Sequence, residues 1–237
     1  GSIVKKLSIA PNAAYGLPTE FDQDIIVVVF YHLYDLNKKL GYCPRKIRIP
    51  LSDFPKIMEI SKGGKLYKGI ERSAERVSGC EIYQDKFVTV KEKNGNLKIY
   101  EKTSLKLFHF NGIHKEEKET RKGKRIKKYY LDLDTPDWVR NNIENLYTTE
   151  FDIKKYFLVK GGRTRKLYRF LELIRYNKTV PISYEKLRKE LWIDEKEMFN
   201  VRRTLKRNLT PLVKSGYLIT FGFEENGIVA TFSSIKK

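Results

Sequence analysis

The sequence predicts an α+β protein made of two tandem winged helix-turn-helix domains, and three observations favour this fold. Residues 49–90 contain a strand end, a short helix, a glycine turn, a basic amphipathic helix and an alternating strand. Residues 180–227 repeat that series with matching turn residues. The net charge is +19, because 48 Lys and Arg residues oppose only 29 Asp and Glu residues. Such an excess is typical of proteins with a polyanionic partner.

Composition narrows the class of protein further. A chain of 237 residues with 41% hydrophobic content can build one large or two smaller cores. Two cysteines, Cys43 and Cys80, argue against a disulfide scaffold and fit a reducing cytoplasm. No apolar run is long enough to cross a bilayer, and the basic residues are spread over predicted folded elements. We therefore expect a cytoplasmic protein that binds nucleic acid rather than a membrane.

The first domain is predicted over residues 1–150. Thr19 and Asp22 have the spacing of a capping box, and they open a helix that continues to about Leu40 and ends at Gly41. This helix carries a long apolar stripe and is predicted to form the domain core. A short strand then leads to Ser52, which we expect to cap a short helix over residues 53–60.

The second helix of this series has two dissimilar faces. Leu66, Ile70, Ala74 and Val77 recur at helical spacing and form the inward stripe. We expect the other face to bind DNA in a major groove. Its predicted DNA-binding residues are Lys65, Tyr67, Lys68, Arg72 and Arg76.

The remainder of the first domain is predicted to contain the wing. Residues 87–110 read as two strands around the Asn94-Gly95 turn, with Lys91 and Lys93 placed to contact phosphates. Residues 114–128 are polar, Lys-rich and glycine-bearing, so they are predicted to be a mobile insertion. A strand over 129–133 and a helix that starts after Pro136 follow.

The second domain, predicted over residues 151–237, repeats the cap and turn residues of the first. Val180-Pro181-Ile182-Ser183 matches Ile49-Pro50-Leu51-Ser52, and Ser215-Gly216 matches Ser78-Gly79 at the end of the basic helix. Asn226-Gly227 matches the hairpin turn at Asn94-Gly95. The repetition favours two copies of one fold over a chance pattern.

The last long helix is the stronger candidate for base recognition. Asp194 and Glu197 are predicted to cap it, and Met198, Val201, Leu205, Leu209 and Leu212 are predicted to face the core. Arginine can make a bidentate contact with guanine, and asparagine can do so with adenine. The predicted DNA-binding residues here are Lys196, Asn200, Arg202, Arg203, Lys206 and Arg207, with Arg163 and Arg165 on the first helix of the second domain. The two basic helices are expected to enter successive major grooves, about 34 Å apart.

Three segments, in this order and spacing, resemble plasmid replication initiators of the replication initiator protein A (RepA-like) type. They are LPTEFDQDI, GGKLYKGIERSAERVSGCEIYQDKF and RTRKLYRFLELIRY, and the resemblance covers about residues 17–223. It implies tandem winged-helix domains that bind repeated origin sites, help to open AT-rich DNA and recruit host proteins such as an initiator or a helicase. It also implies a monomer on the repeats and a homodimer as repressor. Residues 114–128 depart from the family pattern, so no role is carried over to them.

Two alternatives remain open at this point. A transcriptional regulator without a replication role would use the same DNA-binding residues. A primase-like nucleotidyl-transfer enzyme could use Asp132 and Asp134, which point to the same side of a predicted strand, as two Mg²⁺ ligands would. A third ligand is not evident, and His32 has no partner at metal-ligand spacing. We therefore expect a non-enzymatic protein that binds double-stranded DNA without a metal or other cofactor.

Overall fold

The computed structural model describes residues 7–91, 97–119, 125–145 and 152–234. It divides the chain into two compact units, Gly1–Thr148 and Thr149–Lys237. Each unit contains helices and at least one three-stranded antiparallel sheet, so the fold class is α+β. Within the described residues, no helix is both long and apolar enough to cross a membrane.

The first unit contains two three-stranded sheets, with strand orders β1-β3-β4 and β2-β6-β5. Its elements in chain order are β1 (Leu7–Ala10), α1 (Glu20–Leu40), β2 (Lys46–Pro50), α2 (Asp53–Ile57), α3 (Gly64–Gly79), β3 (Glu81–Lys91), β4 (Leu97–Leu105), β5 (His109–Glu119), β6 (Arg125–Asp134) and α4 (Asp137–Glu144).

Helix α1 confirms the prediction made from its ends. Thr19 and Asp22 form the capping box, and Gly41 ends the helix in a left-handed conformation with φ 76°. Ile25, Val28 and other residues of the apolar stripe are fully buried. The helix packs against α3 and supplies much of the core of the first unit.

Helix α3 shows the predicted inward stripe, with Ile70, Ala74 and Val77 buried. Its end differs from the prediction, because the helix continues through Gly79 without a left-handed residue. Glycine is required there for a close approach: a Cβ on Gly79 would lie 1.8 Å from Nδ2 of Asn12.

The predicted cap on α2 is wrong, since Ser52 has helical backbone angles and its side chain makes no capping hydrogen bond.

The predicted mobile insertion at residues 114–128 is wrong for the described residues. Residues 114–119 belong to β5 and residues 125–128 to β6, and the two strands pair in antiparallel register. Acidic and basic residues lie opposite one another, as in Glu116 with Lys128 and Glu117 with Lys127. Opposite charges on facing positions stabilise a β-ladder. The charged residues of this segment therefore belong to a solvent-exposed hairpin rather than to a loop. Residues 120–124 lie outside the described residues.

The second unit contains one sheet of order β7-β9-β8. Its elements are α5 (Ile153–Leu158), α6 (Gly162–Ile174), β7 (Thr179–Ser183), α7 (Tyr184–Leu191), α8 (Met198–Lys214), β8 (Leu218–Phe223) and β9 (Gly227–Phe232). Ser183 caps α7 by accepting a hydrogen bond from the Lys186 N–H, and Gly216 has the predicted left-handed conformation with φ 71°.

The core of the second unit is aromatic at its centre. Tyr217 is fully buried, its ring centroid lies 4.5 Å from that of Tyr168, and Phe232 packs against it from β9. The apolar face of α8 closes this core with Val201, Leu205, Leu209 and Leu212. Two predictions at the start of α8 are wrong: Met198 is 40% exposed, and Glu197 makes no capping hydrogen bond with its side chain.

Strand pairing shows which hairpin of the first unit matches the β8–β9 hairpin of the second. In the second unit, β7 precedes the helix pair and pairs with the last strand of the β8–β9 hairpin. In the first unit, β2 occupies the same place and pairs with β6 of the β5–β6 hairpin. The hairpin predicted as the wing, β3–β4, joins β1 in a separate sheet. The counterpart of β8–β9 is therefore β5–β6.

Candidate nucleic-acid interface

Helix α8 presents one continuous exposed surface. Arg203 lies four residues after Phe199, and Lys206 and Arg207 lie three and four residues after Arg203. All four are exposed, and we call them the α8 stripe. The opposite face of the helix is buried in the core of the second unit. A helix whose apolar face is fixed in a core can present its three cationic side chains to a DNA groove.

Arg202 lies beside this stripe, but its guanidinium is used by the fold. Its Nε donates to the hydroxyl of Tyr184 at 2.9 Å, and its Nη2 donates to the Glu224 carbonyl at 3.0 Å. These bonds tie α8 to α7 and to the end of β8. The guanidinium of Arg202 therefore has a role within the fold, and its contact with DNA stays a prediction.

The turn between α7 and α8 brings two of the predicted site residues to one carboxylate. Glu195 accepts a hydrogen bond from the Thr204 hydroxyl at 3.0 Å. A hydrogen bond from its own backbone N–H, the Thr204 bond and the nearby Arg163 and Arg207 lower the pKa of Glu195. Arg163 of α6 and Arg207 of α8 therefore face the same part of the surface.

This turn also contains a feature that the sequence did not reveal. Trp192 has a left-handed backbone with φ 51° and is 69% exposed. The ammonium group of Lys166 lies 3.5 Å from its ring centroid, and burial against the ring lowers the pKa of that lysine. Arg188 fixes the turn by donating to the carbonyls of Ile193 and Glu195.

The remaining predicted residues of the second unit differ in their surroundings. Lys196 is exposed in the turn before α8, and Asn200 is half-buried in the first turn of the helix. Arg165 donates from Nε to the Val159 carbonyl at 2.9 Å and lies over the rings of Tyr156 and Phe157. The Arg165 guanidinium thus joins α6 to the end of α5, and its contact with DNA stays a prediction.

Helix α3 carries a smaller cationic surface. Lys65, Lys68 and Arg72 are exposed, and Tyr67 is half-buried with its ring centroid 6.5 Å from that of Tyr129 on β6. Lys68 and both tyrosines line a crevice of about 600 Å³ between α3 and the β5–β6 hairpin.

Arg76 is part of the interior of the first unit. Its Nη1 lies 2.6 Å from Oδ2 of Asp22, and its Nε donates to the Tyr15 carbonyl at 3.0 Å. Burial alone would raise the pKa of Asp22, but hydrogen bonds from Thr19 and Arg76 outweigh burial and lower it. The Arg76 guanidinium thus joins α3 to Asp22 in the first turn of α1 and to Tyr15, and its contact with DNA stays a prediction.

Two lysines of the predicted wing cannot be assigned to the interface. Lys91 ends β3, and its side chain lies outside the described residues, as does the whole of Lys93. The strand that carries Lys91 belongs to the β1-β3-β4 sheet rather than to the sheet that contains β2.

The buried positions of α3 and α8 have the same spacing, so the two helices can be aligned residue by residue. Ile70, Ser73, Ala74 and Val77 are buried in α3 with the spacing of Leu205, Asn208, Leu209 and Leu212 in α8. With this alignment, Lys68 and Arg72 correspond to Arg203 and Arg207. Glu71 then stands where α8 has Lys206. The two helices share two cationic positions and differ in the sign of the charge between them.

Asp132 and Asp134, the two carboxylates of the enzyme alternative, both have partners in the β2-β6-β5 sheet. Arg48 donates to both oxygens of Asp132, at 2.8 and 3.1 Å, and the Asn111 amide donates to Asp134 at 2.7 Å. In the part of the chain that the structure describes, no group of three or more His, Cys, Asp or Glu residues could hold a metal ion.

The family model described as Replication initiator protein A matches residues 2–190. Domains 2 and 3 of RctB have a TM-score of 0.61 and 12% identity, with 97% of this chain and 91% of that chain covered. A second crystal structure of RctB domains 2-3 has a TM-score of 0.57 and 11% identity, with 96% and 91% covered.

A further solved structure is the Pi initiator protein in complex with iteron DNA. Its TM-score is 0.50 at 12% identity, with 96% of this chain and 97% of that chain covered. At this level of identity the solved structures show a shared fold. No curated protein sequence matches the chain.

Proposed function

This chain belongs to the replication initiator protein A family, and from that premise we propose that it initiates replication by binding repeated sites in duplex DNA at its origin. The origin is that of a plasmid or a similar extrachromosomal element. The observation that carries the proposal is the α8 stripe, a row of exposed cations on a helix whose other face is fixed in a core.

The proposed architecture is two winged helix-turn-helix domains. In each unit a strand leads into two helices, and a hairpin returns to pair with that strand. The second helix of each pair, α3 or α8, is the recognition helix in this proposal. The hairpins β5–β6 and β8–β9 are the wings, and their placement beside the recognition helix suits contacts with phosphates.

The chemistry of the α8 stripe accounts for both affinity and sequence preference. Arg203 and Arg207 have the planar donors that pair with O6 and N7 of guanine, whereas Lys206 and Lys196 suit phosphate oxygens. Helix α3 binds more weakly in this proposal, because Glu71 repels the phosphates that its lysines attract.

The proposal extends to what binding achieves. The bound initiator promotes opening of the neighbouring duplex and recruits a host initiator or helicase in the cytoplasm, and a homodimer of the chain represses its own gene. The likeness to the Pi initiator protein, solved with iteron DNA, supports the proposed repeats. The hydrogen bonds that Asp132 accepts from Arg48 and Asp134 accepts from Asn111 favour this non-enzymatic function over a primase.

A footprint on DNA from the protein's own replicon tests the proposal. The expected result is protection of several spaced direct repeats, which is lost in an Arg203→Ala, Arg207→Ala double variant that still folds. Protection of one isolated operator, together with failure to maintain a marker plasmid that carries the cognate origin, would indicate a transcriptional regulator instead.

A further inference from the structure

Phe199 is the one apolar member of the α8 stripe. It lies in the first turn of α8 and is 74% exposed, although its side chain is entirely apolar. Arg203 follows one helical turn later on the same surface. Isolated exposed apolar residues are ordinary, but this one occupies the end of a helix that the proposed function places in a major groove.

The surroundings of Phe199 do not provide a packing role. The residues of α8 that close the core are Val201, Leu205 and those that follow at helical spacing, and Phe199 is on the other side. Neighbouring Met198 borders a crevice with Tyr184, Arg188 and the β8–β9 turn. Phe199 therefore projects from the fold together with the cations that we assign to DNA.

A groove edge offers one apolar group to such a ring. In the major groove, the C5 methyl of thymine distinguishes an A·T pair, and apolar side chains including Phe recognise it by contact. Neighbouring cations hold the helix against the duplex, so binding would remove the ring from water. Because the ring has no polar atom, its burial would leave no hydrogen-bonding group without a partner.

We propose that Phe199 is a specificity-determining residue that contacts the methyl group of a thymine in the major groove. This inference rests on the proposed function. Four residues of α8 span about 6 Å, which is close to two base-pair steps of about 3.4 Å each. The thymine read by Phe199 should therefore lie within about two base pairs of the base read by Arg203.

The experiment uses the full chain and a duplex enriched by that chain from a randomised library. Each thymine of the duplex is replaced in turn by deoxyuridine, which lacks only the C5 methyl. At one position the wild-type affinity should fall by about fourfold, the effect of exposing one methyl group. The Phe199→Ala variant should bind the thymine duplex about fourfold less tightly and show no penalty at that position.

Leu173→Ala is the matched control, because Leu173 is an exposed apolar residue of α6 in the same unit and lies off the stripe. This variant should keep the wild-type penalty. If deoxyuridine has no effect at any position, or if Phe199→Ala keeps the full penalty, the inference is overturned while duplex binding stands. If no duplex is enriched at all, the proposed function fails and the inference fails with it.

Discussion

Removal of the Arg76 guanidinium should destabilise the first unit, whereas removal of the neighbouring Arg72 guanidinium should not. Arg76 is 19% exposed and pairs at 2.6 Å with a carboxylate, that of Asp22, which is 0% exposed. Breaking a buried pair by deleting one partner leaves an uncompensated charge and costs about 3–5 kcal/mol. Asp22 keeps its bonds from Thr19, so we expect a value near the lower end for Arg76→Ala, about 3 kcal/mol.

This loss can be measured by thermal unfolding. For a chain of this size, about 1 kcal/mol shifts the midpoint by roughly 2–4 °C, so Arg76→Ala should lower it by roughly 6–12 °C. Arg72 is exposed, and Arg72→Ala should stay within about 0.5 kcal/mol of wild type. Arg72→Ala should instead weaken duplex binding.

The pH dependence of unfolding provides an independent check on the same pair. The pKa of Asp22 is lowered from its ordinary value of 3.8 in the folded protein. The stability that Asp22 contributes is therefore complete above that ordinary value and is lost as the pH falls through the lower, folded pKa. Equal midpoints for Arg72→Ala and Arg76→Ala at neutral pH would refute the reasoning, because they would mean that the buried pair contributes nothing.

Four further predictions concern binding and packing. If about six phosphates are neutralised, the logarithm of duplex affinity should fall with the logarithm of salt concentration at a slope near −5, and a titration with a flat slope would contradict the electrostatic account. In binding assays on variant sites, Arg203→Ala should cost about 1–3 kcal/mol and relax preference at one base pair; uniform weakening would make Arg203 a phosphate contact. Glu71→Lys should steepen the salt slope by about one, as a new phosphate contact requires, whereas an unchanged slope would place α3 away from DNA. Gly79→Ala should cost about 1–3 kcal/mol in thermal unfolding because Asn12 must move, whereas Gly64→Ala, with open space around it, should not.

The sequence predicted those elements whose signals are local. Thr19 and Asp22 stand three residues apart and Gly41 follows the last helical turn, so both ends of α1 could be placed from neighbouring residues. The cations of the α8 stripe were predictable for the same reason, since helical periodicity sets Arg203 and Arg207 opposite Leu205 and Leu209, whereas Phe199 was not predicted.

Features that depend on distant parts of the chain were missed. Over residues 114–119 and 125–128, the ladder of β5 and β6 has Lys and Glu on facing positions, so this part of the strands lacks the apolar alternation by which a strand is recognised. Arg76 pairs with a residue 54 positions away and Arg202 with a carbonyl 22 positions away. A helical pattern shows that such an arginine is off the apolar stripe, but it cannot show whether another segment covers it.

A crystal structure of the full chain bound to a footprinted repeat would test the central claim most directly. The α8 stripe should lie in the major groove, with the guanidinium groups of Arg203 and Arg207 within hydrogen-bond distance of base edges or phosphates. A complex in which the α8 stripe faces solvent while another surface holds the duplex would contradict the account.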